Sequence, residues 1–348
     1  AGLLELTDRG LYCAAGDFYV DPWRPVGRAI VTHAHADHAR RGMGRYLTCP
    51  EGEHVLRTRM GPDARIETVP YGKKVSVNGV TVSLHPAGHI LGSAQVRVEQ
   101  AGEVWVVSGD YKTEPDPTCT PFEPVRCHMF VTESTFGLPI YQWPDERTVF
   151  AEVDAWWREN ADAGRTSVLC GYALGKAQRL LAGVDPSVGP IYCHGAVEVC
   201  NRDYRRTGVP LPETLYAGTG ERGKSYAGSL VVAPPSALGT PYLRKFGDVS
   251  TAFASGWMLV RGQRRRRAVD RGFVLSDHAD WPGLFRAIAE TGCERVFVTH
   301  GSRAVMVRRL RELGYEAHGL ETWFEGEQDA GGAETEEEAI LADEATNE

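Results

Sequence analysis

No stretch of this 348-residue chain offers the roughly 18 consecutive apolar positions that a membrane-crossing helix needs, so no membrane anchor is expected. Residues 1–10 lack a basic segment followed by an apolar one, so no secretory signal is expected either. Cysteine is sparse and scattered. Its eight positions (13, 49, 119, 127, 170, 193, 200 and 293) never form a CxxC, which argues against a disulfide framework and for reduced thiols in a cytoplasmic protein. Basic residues are missing altogether from residues 325–348, where ten acidic side chains stand with Gly and Ala and no aromatic. Such a segment cannot bury enough surface to order itself, and an acidic, disordered tail is expected there.

That tail accounts for the formal net charge of −8; without it, 36 acidic residues face 38 basic ones. Within the near-neutral remainder, residues 201–271 hold 13 Lys and Arg against five Asp and Glu, including Arg264, Arg265, Arg266 and Arg267 in a row. A solvated face and a polyanion track are the two readings of such a run.

The length corresponds to about two domains at roughly 150 residues each. Up to Pro144, short strand-like runs dominate. Val75–Leu84 alternates around Asn78-Gly79, a strong hairpin signal, and 94–98 pairs with 104–108 across a turn at 100–102. Closely spaced antiparallel strands suggest a sandwich. From Asp145 the rhythm changes: an amphipathic helix with Val149, Phe150, Val153, Trp156 and Trp157 on one side is followed by alternating strand-like and helix-like runs. That alternation indicates a largely parallel α/β unit.

The chemistry is concentrated at His33-Ala34-His35-Ala36-Asp37-His38, at the end of an apolar strand. Alternate residues of an extended segment point the same way, so His33 and His35 converge on one ion while Asp37 and His38 can face another. Neutral imidazole and carboxylate suit Zn²⁺, with Mn²⁺ or Fe²⁺ tolerated. His89 (HPAGHILG), Asp110 (VVSGDYK) and His300 (VFVTHGS) each follow an apolar strand and precede a turn. A single Asp shared by two divalent ions is the arrangement of a two-metal hydrolytic site.

In this order the series resembles the metal-binding motifs of the metallo-β-lactamase fold. That resemblance implies an αββα sandwich in which one cation takes His33, His35, His89 and bridging Asp110. The second takes Asp37, His38, Asp110 and His300, and Asp21 (FYVDPW) orients a ligand histidine from behind. Glu133 (VTESTFG), His278 (LSDHADW) and His300 (VTHG) are similar to three motifs of the β-CASP nucleases, which carry an inserted α/β domain and act on nucleic acid. The implied organisation is a metallo-β-lactamase domain from 1–144 and 272–324, a β-CASP insertion at 145–271, and the tail at 325–348. GYALGKAQRL resembles a stretch of that insertion, and AAGDFYVDPWRP is most similar to the opening of bacterial ligase-associated DNA exonucleases.

The expected activity is a DNA exonuclease of a repair system, acting from the 5′ end beside a DNA ligase and helicase. Catalytic roles fall to Asp37, to His278 as proton donor and to Glu133 behind it. The alternative is an RNA-processing β-CASP nuclease, and His300 at the third motif is a feature more similar to that RNA-cleaving branch. A small-molecule hydrolase would leave the insertion and His278 idle. Gly171 and Lys176, at a helix start, are candidate phosphate contacts, as are Arg40, Arg41, Arg45 and the Arg264–Arg267 run. Plain alternatives stand beside these: a helix-capping role for SDHADW, and a core role for Trp156 and Trp157.

Overall fold

The computed structural model describes residues 2–218, 223–260 and 268–324; Arg264, Arg265, Arg266, Arg267 and residues 325–348 lie outside the described residues. The chain divides into two units, one formed by the residues up to Gln142 and again from His278, the other spanning Trp143–Asp277.

The first unit opens with six short strands in one sheet, ordered as in the chain: β1 (Glu5–Leu6), β2 (Leu11–Cys13), β3 (Phe18–Val20), β4 (Ala29–Ile30), β5 (Tyr46–Thr48) and β6 (Ile66–Thr68). β1 to β3 are antiparallel and β3 to β6 parallel. Helix α1 (Glu53–Met60), between β5 and β6, buries Leu56 and Met60. A second sheet follows: β7 (Val75–Val77), β8 (Val80–Pro86), β9 (Ala94–Gln100), β10 (Glu103–Val107) and β11 (Met129–Ser134). Its first two tight turns use left-handed pairs, Asn78-Gly79 at φ +49° and +85° and Ala101-Gly102 at +49° and +83°. Two successive positive φ angles match the twist of the flanking strands, which is why these turns set the register.

The second unit is a fully parallel sheet, built from β12 (Thr166–Cys170), β13 (Ile191–Cys193), β14 (Leu215–Tyr216), β15 (Leu230–Ala233), β16 (Val249–Ala254) and β17 (Arg271–Phe273). Its order is β14-β13-β15-β12-β16-β17. Helices α2 (Glu146–Asp162), α3 (Lys176–Gly183) and α4 (Gly195–Arg206) connect it. α2 starts at Asp145, whose carboxylate accepts the Arg147 N–H. Trp156 and Trp157 are core residues: Trp156 donates to Ser250 Oγ at 3.0 Å and packs edge-on against Phe273, and Trp157 donates to the Gly228 carbonyl at 3.1 Å. Because β17 pairs with β16, the chain stays in this unit through Asp277 rather than leaving it near Arg271.

On returning to the first unit the chain forms α5 (Trp281–Thr291), β18 (Arg295–Gly301), α6 (Arg303–Glu312) and β19 (Glu316–Gly319). β18 adds in parallel to β11 and β19 to β18, completing the order β19-β18-β11-β10-β9-β8-β7. Between the sheets, Val82, Leu84, Val96 and Val107 pack against Leu11, Val20 and Ile30. On the other face of the second sheet, Val106, Phe130 and Val298 meet Leu284 and Ile288 of α5 and Met306 and Leu310 of α6. The apolar residues on both sides of β10 and β11 thus fix a rigid floor from which loops project.

Candidate metal centre

β8, β10, β11 and β18 run in the same direction, so their C-terminal ends share one edge of the sheet. His33, His89 and Asp110 each stand three residues beyond the end of their strand, β4, β8 and β10 respectively, and His300 is the penultimate residue of β18. Gly109, at φ +58°, lets the Asp110 loop pass close to the His33 loop; a Cβ there would lie 2.6 Å from the Thr32 side chain.

These side chains form two groups around one carboxylate. In the first, His33 Nε2 and His89 Nε2 lie 3.5 and 3.8 Å from Asp110 Oδ2, and His35 Nδ1 lies 3.1 Å from His89 Nε2. In the second, His38 Nε2 and His300 Nε2 lie 3.5 and 3.1 Å from the other oxygen, Oδ1. Asp37 Oδ2 is 3.4 Å from His38 Nε2 at the edge of that group. The donor atoms of His33, His35, His89 and Asp110, and those of His38, Asp110 and His300, lie within 4.8 Å of one another, with Asp37 beside the second set.

The donor set fits divalent cations. Nε2 of His33, His38 and His300 and Oδ1 of Asp110 are buried without a hydrogen bond. Buried polar atoms left so are costly, and four converging on two points are what bound cations would satisfy. Burial, then the neighbouring charge of His38, hold the His33 imidazole well below its ordinary value, so it is the neutral ligand form. Burial alone would also depress His38, but Asp37, Asp110 and Asp21 outweigh it and lift it to about 10. Burial opposes charge on Asp110 too, yet His38 and His300 keep its carboxylate well below the usual range. Three carboxylates around one imidazole is a local excess of negative charge that a divalent cation would neutralise.

Behind the donors stands a layer of buried oxygens. Asp21, in a left-handed conformation at φ +45°, holds His38 Nδ1 at 2.7 Å and accepts the Thr32 N–H and hydroxyl. The Thr32 hydroxyl is 3.1 Å from His33 Nδ1, and that of Thr299 is 3.2 Å from His300 Nδ1. Each of these partners engages Nδ1 and leaves Nε2 facing the site. The two threonines lie outside the expected site residues, although Val-Thr-His occurs at both 31–33 and 298–300. Asp21→Ala should weaken cation binding at the His38 group by about 10–100-fold, as measured by calorimetric titration with Mn²⁺ or Zn²⁺; unchanged affinity would remove Asp21 from this role.

Beside the first group, His278 Nδ1 lies 2.9 and 2.8 Å from the two oxygens of Glu133, and Glu133 Oε1 also accepts the Tyr111 N–H. The His278 ring packs against His89 with centroids 4.6 Å apart. Capping of α5 belongs to Asp280, which accepts the Gly283 N–H at 2.9 Å, a contact worth about 0.5–2 kcal/mol. His278 is therefore held three residues ahead of a helix start without being the cap.

The expected phosphate turn at Gly171 and Lys176 is corrected. Lys176 is fully buried and ion-paired with Asp277 at 3.3 Å, and the Gly175 N–H is taken by the Gln178 side chain. The lysine is spent inside the second unit. Arg41 Nε donates to the Arg59 carbonyl at 2.8 Å, Arg40 is half-buried, and Arg45 stands near Glu67. The Arg264–Arg267 run lies outside the described residues.

No protein-family model matches the chain. A "Probable DNA ligase" of Opitutus terrae is 30% identical over 321 residues, 91% of this chain and 30% of the relative. "Cleavage and polyadenylation specificity factor 73" of Drosophila melanogaster is 27% identical over 50% of this chain and 26% of the relative. "Endoribonuclease YSH1" of Saccharomyces cerevisiae is 32% identical over 35% of this chain and 16% of the relative. The chain thus spans less than a third of the length of these relatives. A crystal structure of a protein of unknown function from Enterococcus faecalis aligns with a TM-score of 0.57 at 11% identity, covering 84% of this chain and 78% of that one. The fold is the metallo-β-lactamase sandwich with an inserted α/β domain.

Proposed function

We propose that the protein is a metal-dependent phosphodiesterase acting on nucleic acid. The observation that carries this is Asp110, which offers one carboxylate oxygen to each of two imidazole groups beside the Glu133–His278 pair. The cations would be held by His33, His35, His89 and Asp110, and by Asp37, His38, Asp110 and His300. When bound, two such ions supply Lewis acidity, making a water nucleophilic near neutral pH and neutralising phosphate charge. The chain supplies the rest. Asp37, at the edge of the second group, orients the attacking water. Glu133 accepts a hydrogen bond from the Nδ1–H of His278, which fixes the orientation of the ring and leaves Nε2–H as the proton to be given. His278 then protonates the departing sugar oxygen.

Two polymer readings remain, each with its own support. RNA cleavage has the more direct support, because relatives bearing the same fold are named as an endoribonuclease and a polyadenylation factor. DNA cleavage beside a ligase rests on the relative that matches most of the chain. The test is degradation of matched 5′- and 3′-labelled RNA and DNA strands, linear and circular, with and without EDTA. Metal-dependent cleavage of RNA, including the circle, supports the RNA-processing reading. Stepwise loss of nucleotides from DNA ends alone supports the exonuclease. Cleavage of neither would overturn the proposal.

A further inference from the structure

Among the described residues, His38 is gripped on its face as well as its edge. Phe324, five residues past β19, stacks on the His38 imidazole with centroids 4.4 Å apart and planes 15° from parallel. The same ring stands edge-on to His300, with centroids 6.0 Å apart. Phe324 therefore contacts both imidazoles of the second group. It is itself buried, and Trp23 meets it edge-on at 5.7 Å. Trp23 is fixed in turn: its indole donates to the Asp8 carbonyl and its N–H to the Arg9 carbonyl, both at 3.0 Å. Trp23 lies two residues after Asp21, whose carboxylate holds His38 Nδ1. The loop after β3 thus reaches His38 twice, directly through Asp21 and through Phe324 by way of Trp23.

We infer that Phe324 is a positioning residue for the second cation: its flat ring holds the planes of His38 and His300 so that both Nε2 atoms face Asp110. An imidazole pinned only through Nδ1 can still rotate about that hydrogen bond, and a ring stacked on its face opposes that rotation. This inference rests on the two-cation reading of the site.

Cobalt(II) titration followed by calorimetry and by the visible spectrum of the bound ion tests it on the full chain. The wild type should show two binding events. Phe324→Ala should weaken one of them by about three- to tenfold, the range of one aromatic pair, and alter its spectrum while leaving the other unchanged. Phe324→Tyr should restore it and Phe324→Leu should not, since Leu fills space without a plane. The loss should couple to His38→Ala in a double-mutant cycle and add independently to His35→Ala. Rescue by Leu, or equal effects on both binding events, would reduce Phe324 to general packing and overturn the inference. Two wild-type events with Phe324→Ala unaffected would overturn this inference alone. Fewer than two wild-type events would overturn the two-cation reading, and this inference with it.

Discussion

Asp110→Ala should disturb both cation positions together and lower phosphodiester turnover by about 10³-fold or more. Each oxygen of this carboxylate faces a different imidazole group, at 3.5 and 3.8 Å on one side and 3.1 and 3.5 Å on the other. Its removal also deletes the negative charge that keeps two cations from repelling each other across a short distance. Several kcal/mol of charge stabilisation at the phosphate would be forfeited, and each 1.36 kcal/mol or so is tenfold in rate. Elemental analysis of gently purified protein should find close to two equivalents in the wild type and well under one in Asp110→Ala. His35→Ala should retain the His38 group's ion and lose only the first. Retention of two ions by Asp110→Ala would mean that the groups bind independently, and the bridging role would fall.

Much of this cluster of side chains was legible in the sequence because its residues follow a local rule. Apolar strands end, and the next turn carries a His or Asp at His33, His89 and Asp110, while His300 stands at the end of apolar β18 itself. The Asn78-Gly79 hairpin and the Asp145 start of α2 were legible for similarly local reasons, turn chemistry and capping. The first sheet was largely hidden, since its strands are only two or three residues long and carry too few positions for an alternation to register. The Lys176 turn misled for a different reason. A lysine at a helix start has the composition of an anion site, but the anion it meets is Asp277, about a hundred residues away. Phe324 was equally silent, because nothing local to an aromatic residue after β19 reveals that it stacks on an imidazole near the N-terminus. Long-range pairing of this kind is a property of the closed sandwich, and no window of sequence contains it.

His278→Ala should cut cleavage of oligonucleotides by about 10²–10⁴-fold, the usual cost of a lost proton donor, with metal content near normal. The geometry behind this is a buried imidazole whose Nδ1 is committed to Glu133 at 2.8 Å and whose ring packs, tilted, against His89. One alternative is open on distance alone, since Asp110, Glu133 and His278 also form a set of potential donors. The two roles separate by substrate. A sugar oxygen leaves poorly without a proton, whereas a nitrophenolate needs none. A general acid is therefore dispensable for a nitrophenyl phosphodiester, and His278→Ala should hydrolyse that substrate at close to the wild-type rate. A cation ligand is needed for both. Equal losses on the two substrates, or a drop in bound metal, would make His278 a ligand and leave the leaving group to another donor. Glu133→Gln should follow His278→Ala in direction with a smaller loss, because the amide can still engage Nδ1 but no longer stabilises a protonated ring.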